Sequence, residues 1–338
     1  MKNRIFRLLR IIAVFLVVSM GVLLSLPSLF ALTIHQEQTA TVTATPELFP
    51  VTVDSKNKII VENAQVNAFL SSANSPLQAA AGNTGNIFFK IIAWIALSVA
   101  RVPWYQNIAA VGGRFVTITP GMRKEQAATA FADALAWNTV QKKEFMTAAA
   151  SSTLPLSEGS FSPGIYIVDT NATPEEAQSL VNNRFTEDVL SHYGTTTAQM
   201  VPLTEAITIA SLIQRETIGT TDMRLVSGII WNRLFAGMKL QIDSTVQYAK
   251  ANDHTVSSWW PKVLPGDIYR RSPYNTYQHA GLPPTAIANP SVAAIVAALN
   301  PLQTPCFYYF NDQEGTIHCS NTYAEHVTLL KKYYGQGK

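Results

Sequence analysis

ITIASLIQRET, residues 207–217, is the stretch around which the rest of the chain is organised. Wound as a helix at about 100° per residue, it sets Ala206, Ile209, Ala210, Ile213 and Thr217 on one face. Glu216 falls on the shoulder of that face, between Ile209 and Leu212, and Arg215 points to the opposite, solvent side. A carboxyl resting on aliphatic carbon loses hydration of its charged form, so its pKa rises toward the range a proton donor needs near neutral pH. The same pattern also fits a border glutamate whose head stays in water, and the helix by itself does not choose between them.

Upstream, Thr173-Pro174-Glu175-Glu176 reads as a helix start: a threonine cap, proline at the first helical position and a glutamate three residues on to close a capping box. That helix is predicted to run to about His192. Downstream, a helix over residues 222–235 carries Leu225, Val226, Ile229 and Ile230 as its apolar face and stops at Gly237. MKLQI then reads as a short strand ending at Asp243, which would cap a helix formed by STVQYAKA. Further helices are predicted over residues 291–298 and from about Tyr323, with a hairpin between them that turns at residues 312–315. Cys306 and Cys319 bracket the hairpin; they can pair as a disulfide if this part of the chain lies outside the cytoplasm, and no CxxC spacing points to zinc.

Toward the N-terminus, a strand RFVTIT, a turn at Pro120-Gly121, helices over residues 123–135 and 140–150, and a returning strand or extended loop over 161–168 make a βααβ unit without an acid, base or nucleophile of its own. Its default role is binding or support. Residues 87–100, with Lys90 among them, are too short to span a bilayer and read as a buried helix or one lying on the membrane surface, within a small-polar spacer, residues 34–112, that has room for a short strand. Residues 11–33 carry no charge over 23 positions. As a helix they extend about 35 Å, enough for a hydrocarbon core of about 30 Å. Lys2, Arg4, Arg7 and Arg10 precede them, which places residues 1–10 in the cytoplasm and the rest outside, with an uncleaved anchor favoured over a signal peptide.

The composition narrows the function classes. Charged residues make up 14% and the formal net charge is +3 over 338 residues, and no basic patch interleaved with aromatics follows the first ten residues, so nucleic acid is not an expected partner. HExxH, GxSxG and the P-loop are absent, the histidines lack metal-ligand spacing, and no metal or cofactor is expected. Ser55-Lys56-Asn57-Lys58 matches SxxK by letter but lies in the spacer without companion motifs. What remains is the irregular run from Gly266 to Pro290, GDIYRRSPYNTYQHAGLPPTAIANP. A long loop without regular structure inside a compact domain is usually functional. Tyr269, Tyr274 and Tyr277 offer faces for sugar rings and Asn275 a partner for an acetamido group, although each tyrosine fits equally well as a core anchor of the loop.

Taken in order, IASLIQRET, WNRLFAGMKLQIDSTV, SPYNTYQHAGLPPTAIANP and CSNTYAEH resemble the signature blocks of the YceG-like endolytic murein transglycosylases, over about residues 205–330. Glu158-Gly159-Ser160-Phe161-Ser162-Pro163 with Tyr166 resembles the segment that leads into that family's catalytic domain. The resemblance implies an α+β chain: a single inner-membrane span, a LysM-like unit over residues 113–170 and a mixed helical and short-strand catalytic domain over 171–338. It implies Glu216 as the catalytic glutamate and places Gln241, Asp243, Tyr274, Asn275, Thr276, Tyr277, Glu325 and His326 at substrate-side positions. Gly281, Leu282 and Pro283 fall on further pattern positions. The implied substrate is the peptidoglycan glycan strand, with the peptidoglycan polymerases and penicillin-binding proteins as expected partners. Four departures stand out: Gln214 where a second glutamate is common, Ser244 where proline usually follows the aspartate, Thr285-Ala286 in place of Gly-Pro, and Cys319 in place of an aromatic. A non-catalytic wall-binding protein, and a muramidase using Asp243 as second carboxylate, are the rival expectations.

Overall fold

The computed structural model describes residues 47–61, 113–151, 158–253 and 256–335, with isolated positions 10, 14, 17, 21 and 66. The elements in chain order are β1 (Val53–Asp54), β2 (Ile59–Ile60), β3 (Gly113–Ile118), α1 (Lys124–Leu135), α2 (Thr139–Ser151), β4 (Gly164–Asp169), α3 (Pro174–Asp188), α4 (Thr195–Met200), α5 (Leu203–Glu216), α6 (Met223–Phe235), α7 (Asp243–Ala251), α8 (Val292–Leu299), β5 (Tyr308–Asn311), β6 (Ile317–Ser320) and α9 (Tyr323–Tyr334). The result is a mixed fold of helices and short two-stranded sheets.

Helix α5 is the centre, and it is buried on more sides than an apolar stripe would give. Every residue from Ala206 to Ile213 is buried, Thr208 and Ser211 included. Those two hydroxyls find partners at once: Thr208 donates to the Thr204 carbonyl at 2.7 Å, and Ser211 donates to the Thr208 carbonyl at 2.7 Å while accepting from the Ile287 amide at 3.0 Å. Satisfied in this way, a polar residue costs the core little. The helix packs chiefly on α8, whose sequence VAAIVAAL is apolar on all sides and buried from Ala293 to Leu299. Each buried Ile or Leu side chain here contributes about 1.5–3 kcal/mol.

Helix α6 closes the third side, with Trp231 Nε1 donating to the Ala298 carbonyl at 2.9 Å. Gly228 permits its close approach to the chain after α8: a Cβ there would lie 2.2 Å from the Leu302 carbonyl oxygen. The predicted box at the start of α3 is present, with Thr173 accepting from the Glu176 amide at 3.3 Å and Glu176 Oε2 from the Thr173 amide at 2.8 Å.

Three local expectations are corrected. MKLQI is not a strand; its carbonyls at Lys239 and Leu240 are taken by Arg233 Nη1, at 3.3 and 2.5 Å, in place of a neighbouring strand. Asp243 is the first residue of α7 and not its cap, the cap position being Ile242. Arg215 does not reach out into water: its guanidinium lies 3.8 Å over the Trp260 ring, half-buried.

Within the expected spacer, residues 47–61 carry the short strands β1 and β2 and are packed on the core. Phe49 and Val53 are buried in the main core, and the backbone there is fastened by Phe49 N to His192 O (2.8 Å), Thr52 N to Leu299 O (3.0 Å) and Ser55 N to Met200 O (3.1 Å). The strand, helix, helix, strand order of 113–170 is present as β3, α1, α2 and β4, with β3 paired to β4. Grouped by contacts, described residues 113–116 and 165–172 fall in one compact unit, and 117–151 and 158–164 fall in the other, together with 47–61 and 173–335 apart from 254 and 255. Within the larger unit the rings of Phe131, Trp137, Phe145 and Phe161 pack together, holding α1 and α2 to the segment after Glu158. Apart from the isolated positions 14, 17, 21 and 66, the expected span over 11–33, the helix over 87–100 and the rest of the spacer lie outside the described residues. Among the described residues, no helix is long and apolar enough to cross a membrane.

Candidate active site

Glu216 is the last residue of α5, and the chain leaves the helix at Thr217, whose hydroxyl returns to the Ile213 carbonyl at 2.9 Å. The carboxyl is half-buried and both its oxygens are engaged. Ser244, in the first turn of α7, donates to Oε1 at 2.8 Å, and the Tyr309 phenol on β5 donates to Oε2 at 2.9 Å. Burial pushes the Glu216 carboxyl above the ordinary carboxylate range; the Ser244 and Tyr309 hydrogen bonds pull it back, and the nearby Asp243 charge pushes it up again, for a net rise. A helix C-terminus carries partial negative charge and works in the same direction. The arrangement is a carboxyl kept partly dry and touched by neutral hydroxyls, which suits a group that must first hold a proton and then recover one.

The other expected residues divide by what they touch. Asp243 is exposed, and its Oδ1 accepts from the Tyr277 phenol at 2.7 Å. Burial first, and then this bond, raise the Tyr277 phenol above its ordinary value, so it stays a donor. Gln241 is exposed at the mouth of α7 with a positive φ of 54°, and its Oε1 accepts from Arg233 Nη1 at 3.4 Å. Tyr274 packs its ring on Tyr248, with centroids 4.7 Å apart, and shares a hydrogen bond with Thr285 at 2.9 Å.

Two expectations within the loop are revised. Asn275 is fully buried: Nδ2 donates to the Ile268 and Arg270 carbonyls at 3.0 and 2.8 Å, and Oδ1 accepts from the Tyr277 amide at 3.0 Å. Its amide is spent on folding the loop, so it braces the tyrosines and is not free to meet an acetamido group. Thr276 is buried too, accepting from the Ile242 amide at 3.0 Å and bonding Thr245 at 2.9 Å, which ties the loop to the start of α7.

Glu325 and His326 have their partners at the C-terminal helix and hairpin. Glu325 Oε2 accepts from the Asn321 and Thr322 amides, both at 3.1 Å, in the capping box of α9. His326 lies against Tyr308 (5.5 Å) and Phe310 (5.8 Å), and burial, aided by the Arg233 charge, holds it below the usual histidine value. Side chains alternate along a strand, so Tyr309 reaches Glu216 while Tyr308 meets α9 from the other face.

Tyr309 was not singled out from the sequence, and Ser244 was noted only as a departure. A run of four aromatics beside a cysteine gives no reason to select the third. Gln214, where a second carboxylate would stand, faces the start of α8 instead: its Oε1 accepts from the Ser291 amide at 3.0 Å and hydroxyl at 2.8 Å. Cys306 and Cys319 form a disulfide across the hairpin. Among the described residues, no three His, Cys, Asp or Glu side chains gather as a metal site would.

A protein of Bacillus subtilis (strain 168) named endolytic murein transglycosylase is 29% identical over 239 residues, covering 64% of this chain and 64% of that protein. A Streptococcus pneumoniae serotype 2 (strain D39) protein of the same name is 28% identical over 171 residues, covering 50% of this chain and 31% of its own length. The chain thus spans less than two thirds of each of these relatives. The crystal structure of a YceG-like protein from Listeria monocytogenes shares the fold, with a TM-score of 0.56 at 20% identity over 77% of this chain and 95% of that one. The model of the YceG-like family matches residues 98–332, well over half of the 338 residues, and the chain belongs to that family.

Proposed function

We propose that the chain is a membrane-anchored lytic transglycosylase that cuts inside peptidoglycan glycan strands, at the MurNAc-GlcNAc β-1,4 bond, with Glu216 as its acid and base. The observation that carries this reading is the Glu216 carboxyl, raised above its ordinary range and hydrogen-bonded on both oxygens to neutral hydroxyls, those of Ser244 and Tyr309. An ordinary glycosidase flanks the bond with two carboxyl groups. A transglycosylase dispenses with the second because the sugar supplies its own nucleophile. Glu216 gives its proton to the glycosidic oxygen as the C1–O bond breaks; the C6 hydroxyl of the same muramyl residue closes on C1; and the glutamate, now ionised, takes the hydroxyl proton. A 1,6-anhydro end and a free 4-hydroxyl result, no water is consumed, and Glu216 is restored. Acid and base work of this kind contributes about 10²–10⁴ in rate.

In this reading Asp243 and Tyr277 line the sugar's approach, Tyr274 with Gln241 forms the adjoining wall, and Glu325 with His326 supports the hairpin. Residues 11–33 anchor the chain with its catalytic domain outside the cytoplasmic membrane. The βααβ segment serves as a LysM-like wall contact, and cleavage of nascent strands beside their polymerases limits elongation. The neighbouring Asp243 favours one second reading, hydrolysis by water with Asp243 as base. Digestion of purified peptidoglycan by the chain and by Glu216→Gln, followed by mass analysis, tests the assignment. Anhydro ends from the wild type alone support it, reducing ends support hydrolysis, and a fully active Glu216→Gln variant refutes it.

A further inference from the structure

Resting on the reading of Glu216 as the acid, we propose that Tyr309 is a positioning residue for it: the phenol fixes the plane of the carboxyl and the direction in which its proton leaves. A glutamate at the end of a helix has three side-chain torsions to settle, and nothing in α5 beyond it holds the head. Here two donors from distant parts of the chain take one oxygen each, Ser244 on Oε1 and Tyr309 on Oε2. With one lone pair of each oxygen filled, the acidic proton is confined to the directions left open. Positioning within a fraction of an ångström is what such transfers require.

The hairpin is secured as this task demands. Tyr309 lies opposite Cys319 in the β5–β6 register, and Cys319 is bonded to Cys306 just before β5. The entry to β5 is fastened to α6 by Asn232 Nδ2, which donates to the Thr304 and Cys306 carbonyls at 2.8 and 3.0 Å, and by Arg233 Nε, which donates to the Phe307 carbonyl at 2.6 Å. These contacts fix the backbone that leads into the tyrosine and the strand opposite it. Burial first, and then the Glu216 charge, raise the half-buried phenol well above its ordinary value, so it donates throughout the working pH range and does not replace the glutamate as proton carrier.

The test compares wild type, Tyr309→Phe and a chain carrying 3,5-difluorotyrosine at 309, a substitution that keeps the ring and strengthens the donor. Initial rates of peptidoglycan cleavage are measured across pH. Because Glu216 must begin protonated, turnover falls as pH rises through its pKa. Removing a donor to the carboxylate raises that pKa, so Tyr309→Phe moves the falling limb up by about half a unit to one unit. Its kcat on the plateau falls by about ten- to a hundredfold with KM little changed. The fluorinated chain moves the limb down. A purely structural role lowers the yield of folded protein without moving the limb, and limbs that coincide in all three proteins overturn the proposal. Should Glu216→Gln retain full activity, the acid assignment fails instead, a result the Tyr309 series does not mimic.

Discussion

Glu158 offers a stability prediction whose sign and size follow from its surroundings. The side chain is buried, Oε1 accepts from the Lys124 amide at the start of α1 at 2.9 Å, and Oε2 is buried without a hydrogen-bond partner. Burial, with the Glu125 charge behind it, pushes the carboxyl up to about 8, against the opposing Lys124 amide bond and the Arg123 and Lys124 charges; the Tyr248 phenol also faces it. The folded state therefore keeps its proton until about pH 8. An unfolded chain loses that proton near the ordinary carboxylate value. Between these limits the folded state binds more protons, so stability is fully present below the unfolded value and drains away as pH rises. Over pH 5 to 8 the loss from this one group is on the order of 3 kcal/mol. Glu158→Gln keeps an acceptor for the Lys124 amide and cannot ionise, so it should gain on wild type by that amount across the window. Urea unfolding followed by tryptophan fluorescence at several pH values reads the difference. Parallel curves would refute the reasoning, and a wild type that gains on the variant with rising pH would mean that Glu158 is ionised against Arg123.

Asp243→Asn removes a negative charge near Glu216, so the carboxyl titrates lower and the falling limb of activity should shift down by under about one unit, with cleavage retained; abolished cleavage favours the hydrolytic reading. Gly228→Ala places a methyl where the Leu302 carbonyl already lies, and should lower the unfolding free energy by about 1–3 kcal/mol in denaturant titration, an unchanged midpoint contradicting the close approach. Reduction of the Cys306–Cys319 bond frees a short loop and should cost about 3 kcal/mol, seen as a lower melting temperature in reductant that Cys306→Ser with Cys319→Ser no longer shows.

Features set by near neighbours were legible in the sequence. The Thr173 to Glu176 box needs only residues three apart, and α5, α6, α8 and α9 declare themselves through apolar spacing and stop signals. Tertiary substitution for regular structure was not legible: MKLQI has a strand's composition, but Arg233 satisfies its carbonyls from six and seven residues away. Residues 47–61 pass for spacer because β1 and β2 are two residues each, too short for periodicity, and the backbone partners that fasten the segment, His192, Met200 and Leu299, are distant in the sequence. Arg215 was misplaced because a helical wheel says nothing of Trp260 waiting on the outer face. At the site, the resemblance nominated Glu216, yet its two hydroxyl donors come from 28 and 93 residues away and no local pattern links them. Asn275 shows the converse, a residue whose chemistry suits a sugar but whose amide is consumed by its own loop.

The claim at the centre is that one carboxyl suffices because the substrate supplies the nucleophile. Cleavage of peptidoglycan in water enriched in ¹⁸O tests it directly. The account predicts muramyl products with 1,6-anhydro ends and no added label, all lost in Glu216→Gln. Reducing-end products carrying one ¹⁸O would contradict it and make Asp243 the second carboxylate of a hydrolase.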